Sequence, residues 1–99
     1  MKTIDIIEGF NQFFESKYPD KGHFISKLNI ENCKVAKAIK TYTLELWHIN
    51  GKNKELVFTI CITSKATDGN EDTILRDLNM ELVTTLFSKL EEIGGTYGI

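Results

Sequence analysis

Residues 41–63, TYTLELWHINGKNKELVFTICIT, decide the fold. β-branched and aromatic residues fill both halves, and Asn50-Gly51 between them is a hairpin signal. The returning strand reads Glu55 to Thr63, with Leu56, Phe58, Ile60 and Ile62 on one face; Tyr42, Leu44 and Leu46 are the matching face of the outgoing strand. Residues directly opposite share a face, so these even-numbered sets pair only where partner numbers have an even sum. A two-residue Asn50-Gly51 turn gives an odd sum and sets Leu46 against Glu55. A three- or five-residue loop, or a bulge near the turn, is therefore expected, with Trp47 beside Val57 or Glu55 on the opposite face.

Working outward, the β-favouring run begins at Cys33 and predicts the longest strand, Cys33 to Ile49. Before it, His23 to Ile30 alternates, with Phe24, Leu28 and Ile30 on one face and His23, Ile25, Lys27 and Asn29 on the other, until Glu31-Asn32 breaks the strand. Pro19-Asp20-Lys21-Gly22 reads as a turn. It ends a first helix near Tyr18, capped by Thr3 and carrying Ile6, Ile7, Phe10, Phe13 and Phe14 at helical spacing. On the other side, Ser64 to Gly69 is a polar connector, and Asp68 or Asn70 caps a long helix with the stripe Leu75, Leu78, Leu82, Leu86, Leu90 and Ile93. Gly94-Gly95 supplies its stop, and Thr96 to Ile99 frays or adds a short edge strand.

These elements predict one α+β domain over residues 1–99, in the order α-β-β-β-α, with a three-stranded antiparallel sheet and both helices on one face. Phe10, Phe14, Leu44, Phe58, Ile60, Leu82 and Leu86 are expected in one core.

Composition bounds the function classes. Ninety-nine residues with 41% apolar and 26% charged side chains suit a single globular core. No apolar run approaches membrane length, and Met1-Lys2-Thr3-Ile4-Asp5 meets an acid before any signal-like stretch, so a cytoplasmic location is expected. Cys33 and Cys61 have no second Cys or His at zinc-ligand spacing and read as buried, reduced thiols. The net charge of −2 hides a split: residues 1–54 carry nine Lys against six acids, and residues 55–99 three basic residues against eight acids.

No catalytic motif stands in the chain. Asp68-Gly69-Asn70-Glu71-Asp72 starts like a calcium loop, but Thr73 occupies the glycine position and Asn79 that of the bidentate Glu; a helix start rich in acids explains the same residues. His23 and His48 are the two histidines, and His48 shares a face with Tyr42, Leu44 and Leu46, as a core-end histidine would. The element order is similar to that of the double-stranded-RNA-binding domain. That family places lysines at the start of its last helix, whereas Asp68, Glu71 and Asp72 stand there, so no family is assigned.

The outward face of the hairpin carries Thr41, Thr43, Glu45, Trp47 and Ile49 opposite Val57, Thr59, Cys61 and Thr63, and Trp47, Ile49 and Val57 form an apolar cluster among threonines. A second stripe on the last helix, Met80, Val83 and Phe87, is also surplus to one packed face. These surfaces predict a small non-catalytic interaction or assembly protein, of the adaptor, inhibitor or immunity, or phage or mobile-element assembly type, that self-associates or covers a protein partner through the open sheet face, at Trp47, Ile49, Val57, Thr59 and Thr43. The alternative is a nucleic-acid-binding module using the basic ribbon Lys21, Lys27, Lys34, Lys37 and Lys40, although arginine, the better reader of phosphates, occurs once, at Arg76. No cofactor, metal or membrane partner is expected.

Overall fold

The computed structural model describes residues 2–36, 38–65 and 70–99. Helix α1 (Thr3–Lys17) leads into strands β1 (His23–Asn32), β2 (Ile39–Asn50) and β3 (Asn53–Lys65), followed by helices α2 (Glu71–Ser88) and α3 (Leu90–Tyr97). The strands form one antiparallel sheet in the order β1-β2-β3. Helix α1 lies over β1 and α2 over β3, so the α-β-β-β-α order folds as an α+β layer pair with one sheet face left open.

The hairpin solves its register problem with a bulge. Asn50 pairs Asn53 across a tight Gly51-Lys52 turn, in which Gly51 takes φ 62°, a left-handed conformation that glycine adopts without steric cost. That two-residue turn gives the odd register, pairing Trp47 with Leu56 and His48 with Glu55. Between Leu46 and Trp47 the register shifts, Val57 is the extra residue, and beyond it Leu46 pairs Phe58 and Leu44 pairs Ile60. Two expectations are corrected by this. Leu56 leaves the apolar set of β3 and joins Trp47 on the open face, and Val57 packs against the core instead.

One core fills the space between helices and sheet. Phe10, Phe14, Leu44, Ile60, Leu82 and Leu86 are buried in it, with Phe58 half-buried at its margin. Phe24 is buried too, edge-on to Phe10 and Phe14 at ring-centroid distances of 5.1 and 4.9 Å, the geometry that aromatic quadrupoles favour.

Several boundaries differ from expectation, each for a local reason. Strand β1 continues through Glu31 and Asn32, which pair Thr41 and Lys40; β2 begins only at Ile39, so β3, with 13 residues, is the longest of the three strands. Thr3 is the first helical residue rather than the cap, because its hydroxyl donates across to Asn79 Oδ1 at 2.6 Å and ties α1 to α2. Asn70 caps α2, accepting from the Thr73 amide at 2.9 Å; Asp68 lies outside the described residues. The last helix breaks at Lys89, not at the glycines. Gly94 and Gly95 sit inside α3, and a side chain at Gly94 would run into the Tyr18 ring, so this glycine serves close packing rather than capping. Thr96 and Tyr97 are helical and form neither a frayed end nor an edge strand.

Helix α1 is fastened to the sheet by one side chain. Asn11 accepts from the Phe24 amide at 2.7 Å and donates to the Phe24 carbonyl at 2.9 Å, taking the place of a neighbouring strand. Asn11→Ala strips two bonds from backbone groups of a buried residue and should destabilise the protein by about 1–3 kcal/mol in urea unfolding. A loss within the noise of that measurement would mean that water replaces Asn11 at no cost.

Candidate functional site

The open face is built from the odd-numbered residues of β1 and β2 and their partners in β3. Ile25 pairs Trp47, and Trp47 pairs Leu56, so three apolar side chains form a row across all three strands. Ile25 is 37% and Leu56 46% exposed, and Trp47 is half-buried. The indole is held from both sides. Its Nε1 donates to Glu45 Oε1 at 3.3 Å, and Lys54 Nζ stands 4.6 Å from the ring centroid, within cation–π range. A tryptophan fixed in this way loses less side-chain entropy when a partner covers it.

Of the residues expected at the interface, Trp47, Ile49, Thr43 and Thr59 lie on this face. Ile49 stands opposite His23 and Lys54, Thr43 opposite Asn29 and Cys61, and Thr59 opposite Glu45. Val57 does not belong with them, for the reason given by the bulge. Ile25 and Leu56 were missed: Leu56 because the bulge is invisible in the alternation, Ile25 because it stands among His23, Lys27 and Asn29. The chain end does not cover the row, since Tyr97 packs on the helix side against His48 at 4.5 Å between ring centroids.

A second apolar surface lies between the helices. A groove of 420 Å³ is lined by Ile6, Phe10 and Phe13 of α1 and by Val83, Leu86 and Phe87 of α2, with Asp5 and Leu90 at its margins. Phe87 and Met80 stay largely exposed, so the second stripe of α2 is only partly used by α1.

The remaining candidates separate. His48 is buried, its Nε2 lies 2.7 Å from the Lys21 carbonyl oxygen, and its ring packs on Phe24; His23 sits exposed on the opposite face, so the two histidines do not converge. Burial, with Glu55 and Glu92 nearby, pushes the Tyr97 phenol above its ordinary value. The lysines are not gathered into one patch. Lys21 stands in the turn before β1 and Lys34 past its far end, Lys27 is on the open face, and Lys40 on the helix face; Lys37 lies outside the described residues. Among the described residues no group of three or more His, Cys, Asp or Glu is placed to hold a metal ion, and no helix is long and apolar enough to cross a membrane.

Compared with family models, curated proteins and solved structures, the chain matches none.

Neither thiol is buried as expected: Cys33, just past the end of β1, is half-buried and Cys61, on the open face of β3, is exposed, and the two differ in setting. Cys33 Sγ accepts from the Ala36 amide at 3.5 Å, and this donor, with that of Val35, lowers its pKa. Because the thiolate is the nucleophile, a lowered pKa raises its fraction at neutral pH. Iodoacetamide at pH 7 should therefore alkylate Cys33 ahead of the more exposed Cys61, with peptide mass mapping as the readout. Faster modification of Cys61 would show that exposure, not thiolate stabilisation, controls reactivity.

Proposed function

We propose that this chain is a non-catalytic assembly protein that joins copies of itself through the helix-free sheet face centred on Trp47. The observation that carries the reading is the row Ile25–Trp47–Leu56. A solvated antiparallel face alternates toward polar residues, yet here the one tryptophan of the chain sits between two exposed aliphatics in the middle of the sheet. Tryptophan is among the residue types that dominate interface energies, and such anchors work when ringed by polar groups that exclude water. Thr43, Glu45, Lys27, Lys54 and Thr59 supply that rim. Hydroxyl and charged rim groups favour a defined register over indiscriminate sticking.

The wild-type mass in solution, measured by light scattering, should exceed that of one chain. Trp47→Ala with Leu56→Lys should reduce association at least about tenfold, since removal of a central aromatic anchor typically costs 2 kcal/mol or more. Circular dichroism and thermal midpoint should change little, because both side chains lie outside the core. A mutant that associates as the wild type does, or a wild type that is a monomer at high concentration, would refute the reading.

A further inference from the structure

Strand β1 is an edge strand, and among the described residues no strand pairs its outer side, where Asn11 of α1 bonds Phe24. The direction of its backbone groups follows from one contact. Asn11 bonds both the amide and the carbonyl of Phe24 from outside the sheet, and in an antiparallel strand outward groups recur at every second residue. Ser26, Leu28, Ile30 and Asn32 therefore turn their amides and carbonyls away from β2. The Cys33 amide, bonded inward to Ile39, fits the same alternation.

Edge strands in soluble proteins are blunted by prolines, bulges, inward-pointing charges or charged side chains, lysine above all. β1 contains no proline and pairs β2 without a register shift, and its two charges, Lys27 and Glu31, share the open face and are of opposite sign, so they can pair with a second copy. The other edge strand, β3, carries the bulge at Val57. On the helix side of β1, Leu28 is 40% and Ile30 44% exposed, although their partners on β2, Leu44 and Tyr42, are buried.

We propose that a second copy of the chain pairs antiparallel with this edge, β1 against β1, about a two-fold axis through Asn29. That register sets Leu28 against Ile30 of the second copy on the helix side. On the open face it sets Lys27 against Glu31, and both pairs occur twice by symmetry. Ser26 and Asn32 close the ladder at either end, for about eight main-chain hydrogen bonds. Shifting the two-fold by one residue to Leu28 would place Lys27 against Asn29 and Ile25 against Glu31, losing both charge pairs. Phe24, whose outward groups Asn11 already occupies, falls outside the paired segment, so α1 does not have to move.

The consequence is a continuous sheet of two three-stranded halves, with two Trp47 faces side by side on one surface. This rests on the assembly reading above and adds a second contact to it, of different chemistry.

The tests are arranged so that each contact can fail alone. With both contacts intact the wild type should be larger than a dimer, and in the Trp47→Ala, Leu56→Lys background it should fall to a dimer by light scattering. Adding Glu31→Lys, or instead Lys27→Glu, creates two like-charge pairs across the axis and should weaken that dimer at least about tenfold. Mixing these two variants restores opposite charges at both pairs and should restore the dimer. Independently, Asn29→Cys in a Cys33→Ser, Cys61→Ser chain should form an intermolecular disulfide. Across the new edge Asn29 meets its own copy in a non-hydrogen-bonded pair, about 4.5 Å between Cα atoms, within disulfide reach. Lys27→Cys, far from its own copy, should not. Overturning results are a monomer in the face-disrupted background with no Asn29→Cys cross-link, or a dimer there that neither charge variant disturbs. Either leaves the Trp47 face standing if the wild type still associates through it.

Discussion

The arrangement of both sheet faces depends on a single extra residue, Val57. A two-residue Gly51-Lys52 turn is compact and suits the strand twist, but it imposes a register in which odd residues meet even ones. The apolar alternation of β2 and β3 needs the opposite parity, because Leu44 and Leu46 must face the same side as Ile60 and Phe58. Inserting one residue changes the parity halfway along the hairpin. Beyond the bulge the sheet builds its core; between bulge and turn it places Leu56 beside Trp47 and Glu55 beside His48. The exposed row and the buried layer are thus two results of the same local irregularity.

Around that hairpin the remaining elements are held by few, specific ties. Asn11 serves as a one-residue strand for Phe24, and the Thr3 hydroxyl bonded to Asn79 keeps the N-terminus of α1 against α2. At the other end Tyr18, His48 and Tyr97 close the core, with the bare backbone of Gly94 admitting the Tyr18 ring. His48 illustrates how a residue with catalytic potential is used structurally: its nitrogen is occupied by a backbone carbonyl and its ring by aromatic neighbours.

Charge follows the layers more closely than it follows the halves of the chain. The three helices hold nine acids against Lys17 and Arg76, a net of −7, so the strands and connecting segments together carry +5 of the overall −2. Lys21, Lys27, Lys34 and Lys40, neighbours in a ribbon along the sequence, are distributed over both ends and both faces of the sheet, which disperses the field a polyanion would meet. Apolar surface, by contrast, gathers at the Trp47 row, the β1 edge and the α1–α2 groove, while Ile4, Val35, Met80 and Ile99 are exposed elsewhere.

The sequence by itself determined what depends on periodicity and local chemistry. The five expected elements, their order, the core of Phe10, Phe14, Leu44, Ile60, Leu82 and Leu86, and the position of Trp47 away from the helices were all legible, since burial of a repeating face enforces them. The parity conflict was legible as well, with a three- or five-residue loop or a bulge as its remedies, and the structure uses the bulge. The place of the bulge was not legible, because any of several residues restores parity, and the choice rests on which side chain the core can accept; Val57 fits there and Leu56 is left outside. The role of Gly94 and that of the Thr3 hydroxyl were likewise decided by contacts between residues distant in the chain: Tyr18 against Gly94, and Asn79 against Thr3. The exposure of Leu28 and Ile30 belongs to the same class. Alternation assigned them to the helix face, and only the placement of α1 over the Phe24 end of β1 left them uncovered.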